Sequence, residues 1–160
     1  MRIYLAGRYI RRLELLQYAA RLQVLGHEIT SRWLYGSHEL GDDGLSRQGE
    51  ESDRARWAQE DFADLARADL IISFTEKPRT SNSRGGRHVE FGSGLALGKR
   101  LMVVGFRENV FHCLPRVEFF QTWEETLDTL RVQATPANHF DVTCCERGPS
   151  PIPDFEEAQP

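Results

Sequence analysis

The chain has 160 residues and a formal net charge of −4, so it can form one domain with a hydrophobic core and lacks the basic excess that binds a nucleic-acid polymer. Hydrophobic residues make up 40% of the chain and charged residues 28%, which is typical of a soluble globular protein. No apolar run approaches the roughly 20 residues of a membrane-spanning helix, so we expect no membrane partner.

The cysteine and histidine content argues against a disulfide framework and against a zinc site. The three cysteines are an odd number, two of them (Cys144 and Cys145) are adjacent, and the five histidines are scattered along the chain. The opening segment becomes charged too early for an export signal. We therefore expect a cytoplasmic protein without a bound metal.

Apolar patterns in the first third of the chain predict two strands around one helix. Residues 3–6 predict a buried strand, a helical pattern follows until the stop at Leu25-Gly26, and residues 27–34 predict a second strand. The charged stretch over 35–53 has no periodicity, which predicts a mobile loop that could act as a lid.

The remaining elements continue this alternation. In order, they are a helix over 53–67, a strand over 69–74, a helix over 89–97, strands over 101–104 and 116–120, and a helix capped by Thr122 that ends near Arg131. The alternation predicts an α/β fold, namely a single doubly wound parallel sheet of about five strands, flavodoxin- or Rossmann-like, with helices on both faces. This domain is expected over 1–131, and the proline-rich acidic tail over 132–160 is expected to be extended or disordered.

The fold indicates where a ligand should bind. In an open parallel sheet, ligands bind beyond the carboxyl ends of the strands, where the strand order reverses. The stretches predicted to reach that edge are 7–12, 35–53, 75–88 and 105–116. We therefore expect Gly7, Arg8 and Asn109 to contact a ligand, while Trp33 is expected either to stack on a base or to pack in the core.

The segment SRGGRHVEFG over 83–92 carries the most chemical information. Gly85 and Gly86 permit a tight turn and expose backbone N–H groups at a helix start, which favours an anion there. Glu90 is predicted to fall in the first turn of that helix, where the helix dipole would keep its carboxylate ionised at neutral pH. Such a carboxylate is suited to attack an anomeric carbon. The alternative is an ordinary first-turn residue beside an ordinary turn.

Two further residues are candidates for work beside Glu90. Asp61 shares a helical stripe with Trp57 and Leu65, so partial burial would let it hold a proton for a departing base, whereas a solvated helix face is the simpler interpretation. Tyr4 lies within the first predicted strand. Its hydroxyl is expected either to point toward Glu90 or to fill the core.

Together these stretches resemble the nucleoside 2-deoxyribosyltransferase family, which includes related nucleotide N-hydrolases. The similarity covers residues 1 to about 131 and is carried by IYLAG at 3–7, DFADLARADLII at 61–72 and GRHVEFGSGLALGK at 86–99. The resemblance implies that Glu90 is the nucleophile, that Tyr4 hydrogen-bonds it and that Asp61 contacts or protonates the departing base. It also implies a homodimer or higher homo-oligomer in which neighbours complete each site, and Arg116 or its surroundings could reach the adjacent site.

One position departs from the transferases of that family, which have a second aspartate six residues before the catalytic glutamate. Arg84 stands there in this chain. The nucleotide hydrolases carry a phosphate-binding serine in the same loop, and Ser83 lies close to that place. Because an Arg84-Gly85-Gly86-Arg87 turn at a helix N-terminus also suits a phosphate, nucleosides and their 5′-monophosphates are both open as substrates.

The sequence thus predicts an enzyme that cleaves or exchanges the N-glycosidic bond of a (deoxy)nucleoside or its 5′-monophosphate. The predicted route is a covalent glycosyl–Glu90 intermediate, which requires no metal and no organic cofactor. One alternative is a Rossmann-type nucleoside-monophosphate phosphoribohydrolase. Such enzymes also pair a Gly-Gly turn with a glutamate, but they lack the two aspartates eight residues apart that are Asp61 and Asp69 here. The other is a non-catalytic nucleotide-binding module.

Overall fold

A parallel sheet organises the computed structural model, which describes residues 1–36, 48–78 and 85–134. The strands in these ranges are β1 (Arg2–Ala6), β2 (Glu28–Ile29), β3 (Leu70–Phe74), β4 (Arg100–Val104) and β5 (Val117–Phe120). The helices are α1 (Arg12–Val24), α2 (Gln48–Arg67), α3 (Gly86–Ala96) and α4 (Trp123–Ala134). The strand order is β2-β1-β3-β4-β5, and every pairing is parallel.

The predicted doubly wound α/β fold is confirmed, and the burial of its core strands explains why their apolar sequence pattern predicted them. The five residues of β3 are all buried, as expected for a central strand covered on both faces. In register, Tyr4 of β1 pairs with Ile71 of β3, which pairs with Leu101 of β4. The order reverses between β1 and β3, so the carboxyl ends of these two strands mark the expected ligand edge.

The helices cover the two faces of the sheet in pairs. On one face α1 meets α4, where the Tyr18 and Trp123 rings stack with centroids 4.4 Å apart. On the other face α3 lies very close to the sheet, because a Cβ at Gly94 would collide with Ile71 and touch Leu101. The preceding turn of α3 contacts β1, where Glu90 meets Tyr4. None of the helices in the described ranges combines the length and apolarity needed to cross a membrane.

The predicted second strand is wrong over most of its length. Only Glu28–Ile29 pairs with β1, and the chain then forms a 3-10 helix over Arg32–Leu34. A contact between distant residues accounts for this, since the Ser31 hydroxyl accepts the backbone N–H of Leu5 at 2.6 Å and takes the place of a strand residue. Trp33 therefore lies in a helical turn instead of at a strand end.

Helix α2 differs from the prediction at its start and in its buried face. It begins at Gln48, so only the part of the predicted 35–53 loop over 37–47 lies outside the described residues. The apolar residues at helical spacing, Ala58, Phe62 and Leu65, predict an inward stripe, but Ala58 is exposed and Phe62 is 52% exposed, and only Leu65 of the three is buried. The inward face also carries the buried acid Asp64 beside Leu65.

The other helices agree more closely with their patterns. In α1, the buried stripe is Leu15, Ala19 and Leu22, whereas Leu13 is exposed. Thr122 caps α4 as predicted, with its Oγ1 accepting from the backbone N–H of Glu125 at 3.3 Å. The tail over 135–160 lies outside the described residues, so its predicted character stays a prediction.

Candidate active site

The carboxyl ends of β1 and β3 form the edge at which the strand order reverses. The chain leaves β1 through Gly7 and Arg8, and an ion pair of 3.1 Å joins Arg8 Nη1 to Glu76 Oε2 beyond β3. The position of Gly7 is explained by packing, because a Cβ there would lie 2.7 Å from Leu15 Cδ1. Arg8 thus lies at the predicted ligand edge, already held by a carboxylate.

A buried tyrosine and a glutamate meet just inside this edge. Tyr4 is fully buried in β1, and its hydroxyl donates to Glu90 Oε1 at 3.1 Å. The other carboxyl oxygen, Glu90 Oε2, is buried and has no hydrogen-bond partner among the described residues. The contact that the sequence suggested between these residues is therefore present, and it fixes one carboxyl oxygen, while the second accepts no hydrogen bond within the described part of the chain.

The charge state of Glu90 differs from the sequence expectation. Glu90 is the fifth residue of α3, one position beyond the first turn, and the helix dipole acts mainly within that turn. Burial raises the pKa of Glu90 to about 8, and the negative charge of Asp61 adds to this rise. The hydrogen bond from Tyr4 and the charge of Arg87 lower the pKa, but they do not outweigh burial. The prediction of a carboxylate kept ionised by the helix dipole is therefore wrong.

Asp61 on α2 completes this group through its charge. It acts on both residues, since burial first and then the charges of Glu90 and Asp61 raise the pKa of Tyr4 well above its ordinary value. Tyr4 consequently remains a protonated donor. Glu90 and Asp61 resist simultaneous ionisation at neutral pH, as two neighbouring carboxyl groups do. No group of three His, Cys, Asp or Glu side chains that could hold a metal is found in the described part of the chain.

Two neighbours of this group are structural. The Asp64 side chain is fully buried and accepts from both the backbone N–H and the Nε of Arg32, at 3.0 and 2.9 Å. Trp33 is 5% exposed, and its indole N–H donates to the carbonyl of Leu5 at 2.9 Å. Of the two roles considered for Trp33, its burial supports packing and leaves no face open to a base.

The structure describes three of the five residues predicted to bind a phosphate at the start of α3. Gly85 caps the helix with a φ of 85°, a left-handed conformation that favours glycine, and Gly86 is the first helical residue. Arg87 turns inward and pairs with Glu108 at 2.6 Å, so its guanidinium is committed to a carboxylate. Ser83 and Arg84 lie outside the described residues. Sequence reasoning missed Glu108, whose partner is 21 residues away and leaves no local pattern.

Asn109 and Arg116 lie on a different side of α3 from Glu90. They line a cavity of about 640 Å³ together with one face of that helix. At about 100° per residue, His88 and Leu95 on that face lie roughly 140–160° around the helix from Glu90. Within one chain, the structure therefore does not bring these two predicted site residues to the carboxyl group. Both are engaged locally, since Asn109 accepts from Phe111 N and Arg116 donates to the carbonyl of Leu95.

Comparison with known proteins identifies the fold. No protein-family model matches the chain, and no curated protein sequence matches it. Among solved structures, the CMP N-glycosidase BcmB of Clostridium botulinum is similar with a TM-score of 0.53 and 19% identity, over 82% of this chain and 99% of that one.

A 2-deoxyribosyltransferase of Bacillus psychrosaccharolyticus is similar with a TM-score of 0.60 and 20% identity, over 81% of this chain and 96% of that one. A conserved protein of Enterococcus faecalis V583 gives a TM-score of 0.50 at 11% identity, over 83% and 98% of the two chains. The likeness establishes a shared fold over nearly the full length of those chains.

Proposed function

We propose that this chain cleaves or exchanges the N-glycosidic bond of a (deoxy)nucleoside or its 5′-monophosphate, through a covalent glycosyl–Glu90 intermediate. The observation that carries the proposal is the buried Glu90 carboxyl, hydrogen-bonded by Tyr4 and repelled by Asp61 beside the reversal of strand order. The fold supports it, because it is shared with a CMP N-glycosidase and a 2-deoxyribosyltransferase.

The proposed reaction has two displacement steps at the anomeric carbon. In the first, a Glu90 oxygen attacks that carbon, the bond to the base nitrogen breaks, and its electron pair leaves with the base, which takes a proton held by Asp61. In the second, water or an incoming base attacks the same carbon, gives a proton to the Asp61 carboxylate and displaces the Glu90 carboxylate. Two inversions give net retention of configuration.

The repulsion between the two carboxyl groups suits this division of roles. Because the charge of Asp61 raises the pKa of Glu90, forms in which only one of the two carboxyl groups is ionised are favoured near neutral pH. When the proton lies on Asp61, Glu90 is the nucleophile and Asp61 the acid, which is the arrangement the first step requires. Tyr4 donates to Glu90 and thereby favours its ionised form.

The direct test is to incubate the protein with nucleosides and their monophosphates and to measure free base. Release of base, together with exchange into an added second base or a sugar adduct on the protein, would support the proposal. Release with neither exchange nor adduct would favour a phosphoribohydrolase. Tight binding without release would favour a non-catalytic nucleotide-binding module.

A 5′-phosphate is expected to improve the substrate by at least about tenfold, since hydrogen bonds to charged groups contribute about 1.5–3 kcal/mol. A glycine N-cap with a positive φ leads into α3, and helix N-termini of this kind favour anions. Arg84, on sequence grounds, adds a guanidinium there. We expect Arg84→Ala to lose most of the preference in kcat/KM for the monophosphate while acting on the nucleoside almost as wild type does.

Arg131→Ala, on the exposed face of α4, is the matched control and should leave the preference for the monophosphate unchanged. A wild type that prefers the unphosphorylated nucleoside would contradict the phosphate role. In that case, base exchange becomes the better interpretation of the site.

We also propose that the active form is a homodimer or higher homo-oligomer. The cavity beside α3 is lined mostly by apolar side chains, and its neighbourhood exposes Val110 by 77%, Phe111 by 58% and Leu97 by 52%. A second copy seated there would cover this surface, and it would also explain why Asn109 and Arg116 lie away from Glu90 of their own chain.

Light scattering should show an oligomer, and Phe111→Asp should dissociate it and reduce activity. Val132→Asp, at an apolar position on α4 that is 76% exposed, should do neither. A fully active monomer at the assay concentration would rule out this assembly.

A further inference from the structure

A buried ion pair lies next to the proposed nucleophile and has no part in the reaction steps described above. The side chains of Arg87 and Glu108 are only 3% and 8% exposed. Two contacts join them, from Arg87 Nη2 to Glu108 Oε1 at 2.6 Å and from Nε to Oε2 at 3.1 Å. Glu108 Oε1 also accepts from the backbone N–H of Glu76 at 3.0 Å. The pair therefore ties the first turn of α3 to the chain beyond β3 and β4.

Such a pair is a costly way to hold a helix in place. Removing two charges from water carries a penalty that their attraction only partly offsets, and apolar side chains of similar size can pack as well or better. What apolar packing cannot supply is charge. Arg87 precedes Glu90 by three residues on α3, a spacing that places two side chains next to each other on a helix.

The electrostatic surroundings of Glu90 show where a positive charge matters. The groups that act on it are Tyr4 from β1, Asp61 from α2 and Arg87 from α3 itself. Burial and Asp61 raise the pKa of Glu90, whereas the hydrogen bond from Tyr4 and the charge of Arg87 lower it. Among these groups in the described residues, Arg87 is the one that carries a positive charge.

We propose that Arg87, clamped by Glu108, is a positioning residue that places a fixed positive charge beside Glu90 and favours the ionised, nucleophilic form of that carboxyl. The catalytic role of Arg87 rests on the proposed function, but the titration of Glu90 that tests it can be measured without substrate. Glu108 acts through Arg87, because its two contacts and the Glu76 N–H leave the guanidinium little freedom to turn to solvent.

The test follows the titration of Glu90 by ¹³C NMR of the side-chain carboxyl, assigned by its loss in Glu90→Gln. The variant R87Q/E108Q removes both charges and keeps two side chains that can hydrogen-bond each other. We expect the Glu90 midpoint to rise by at least about half a pH unit, because the ionised form loses its positive neighbour. The acid limb of kcat/KM should move the same way, with about a threefold loss at pH 6–7.

Two further variants separate charge from structure. R100Q/E118Q removes another two-contact pair, between β4 and β5, and should leave the Glu90 midpoint unchanged. Arg87→Lys retains the charge and should return the midpoint close to the wild-type value. If R87Q/E108Q does not fold, Glu108→Gln answers the question. It keeps Arg87 charged but releases the guanidinium from its clamp, so the midpoint should rise, and a midpoint that stays or falls would overturn the proposal.

An unmoved midpoint in folded R87Q/E108Q, with a lowered Tm, would show that the pair is merely structural. A protein that releases no base from any substrate would refute the proposed function and still leave the titration readable. An active protein whose midpoint does not move would refute this inference alone.

Discussion

Glu90→Ala is expected to reduce base release to below about 1% of wild type, because removing a nucleophile eliminates the covalent route and not merely one hydrogen bond. The physical reason lies in the geometry of the site. Tyr4 fixes Glu90 Oε1, while Oε2 has no hydrogen-bond partner among the described residues, and alanine offers no atom that could replace it. Nucleotide binding should persist, since that carboxyl is proposed to act on the anomeric carbon alone.

Initial rates of base release and intact-mass spectra are the measurements. Wild type mixed with substrate should gain the mass of one sugar or sugar phosphate, and Glu90→Ala should not. Glu124→Gln, at an exposed carboxylate of α4 paired with Arg21, is the matched control and should keep full activity. More than a few per cent of wild-type turnover in Glu90→Ala would show that another group is the nucleophile.

The Glu90 carboxyl should also affect how the free energy of unfolding depends on pH. Its pKa is about 8 in the folded chain against an ordinary 4.5, so between these pH values the folded state binds more protons than the unfolded state. The free energy of unfolding of wild type therefore falls as pH rises through this window, insofar as Glu90 contributes. Glu90→Gln lacks this loss, so its stability relative to wild type should increase from pH 5 to pH 8. Loss of activity in this variant would then not reflect unfolding.

The fold was predictable because each decisive element carries its own local pattern. β3 is apolar at four of its five positions and lies in the middle of the sheet. A short apolar segment of sequence was therefore enough to predict a strand buried on both faces. Tyr4 and Glu90 were identified for a related reason. Glu90 follows a Gly-Gly turn in a stretch predicted to reach the carboxyl edge, and the family resemblance paired Tyr4 of the first strand with it.

The features that the sequence did not predict depend on contacts between distant residues. The ionisation of Glu90 was predicted from the dipole of its own helix, but burial and the charge of Asp61 from another helix outweigh that effect. Arg87 was predicted as a phosphate ligand, since no nearby residue in the sequence indicated that it would pair with Glu108 on another segment. Trp33 was placed in a strand because no pattern showed that the Ser31 side chain would take over the backbone pairing.

Helix α2 shows a subtler failure. Helical spacing of the apolar residues included Phe62, which is exposed, whereas the acid Asp64 is fully buried beside Leu65. Asp64 is buried because the backbone and side chain of Arg32 satisfy it. Asp61 and Asp64 are three residues apart, so they lie on the same side of the helix. The spacing that places Asp61 on the stripe of Leu65 did single out this carboxyl as a candidate, and it remains part of the proposed site.

Asp61→Asn is expected to slow base release by about 10²–10⁴-fold for ordinary purine or pyrimidine substrates, since an amide cannot supply the proton that general acid catalysis provides. A substrate whose base already carries a positive charge needs no proton to depart. For such a substrate the loss should be small. The ratio of the two rates, and not either rate alone, is therefore the measurement that identifies the acid.

The electrostatics of the site sharpen this expectation. Asp61 raises the pKa of Glu90, so its replacement by asparagine should lower that pKa and leave more Glu90 ionised at pH 7. Attack on the substrate with the cationic base should then be as fast as in wild type, or faster. Ordinary substrates should still be slow, because their base cannot leave unprotonated even when the nucleophile is ready.

Asp64→Asn, one turn along the same helix, is the matched control. It disturbs the contact with Arg32 and should lower Tm, but it should leave the ratio of the two rates at its wild-type value. Equal slowing of both substrates by Asp61→Asn would remove Asp61 from the acid role, because a group that only orders the site affects every leaving group alike. The proton would then have to come from water, and Asp61 would act on the reaction through the charge state of Glu90.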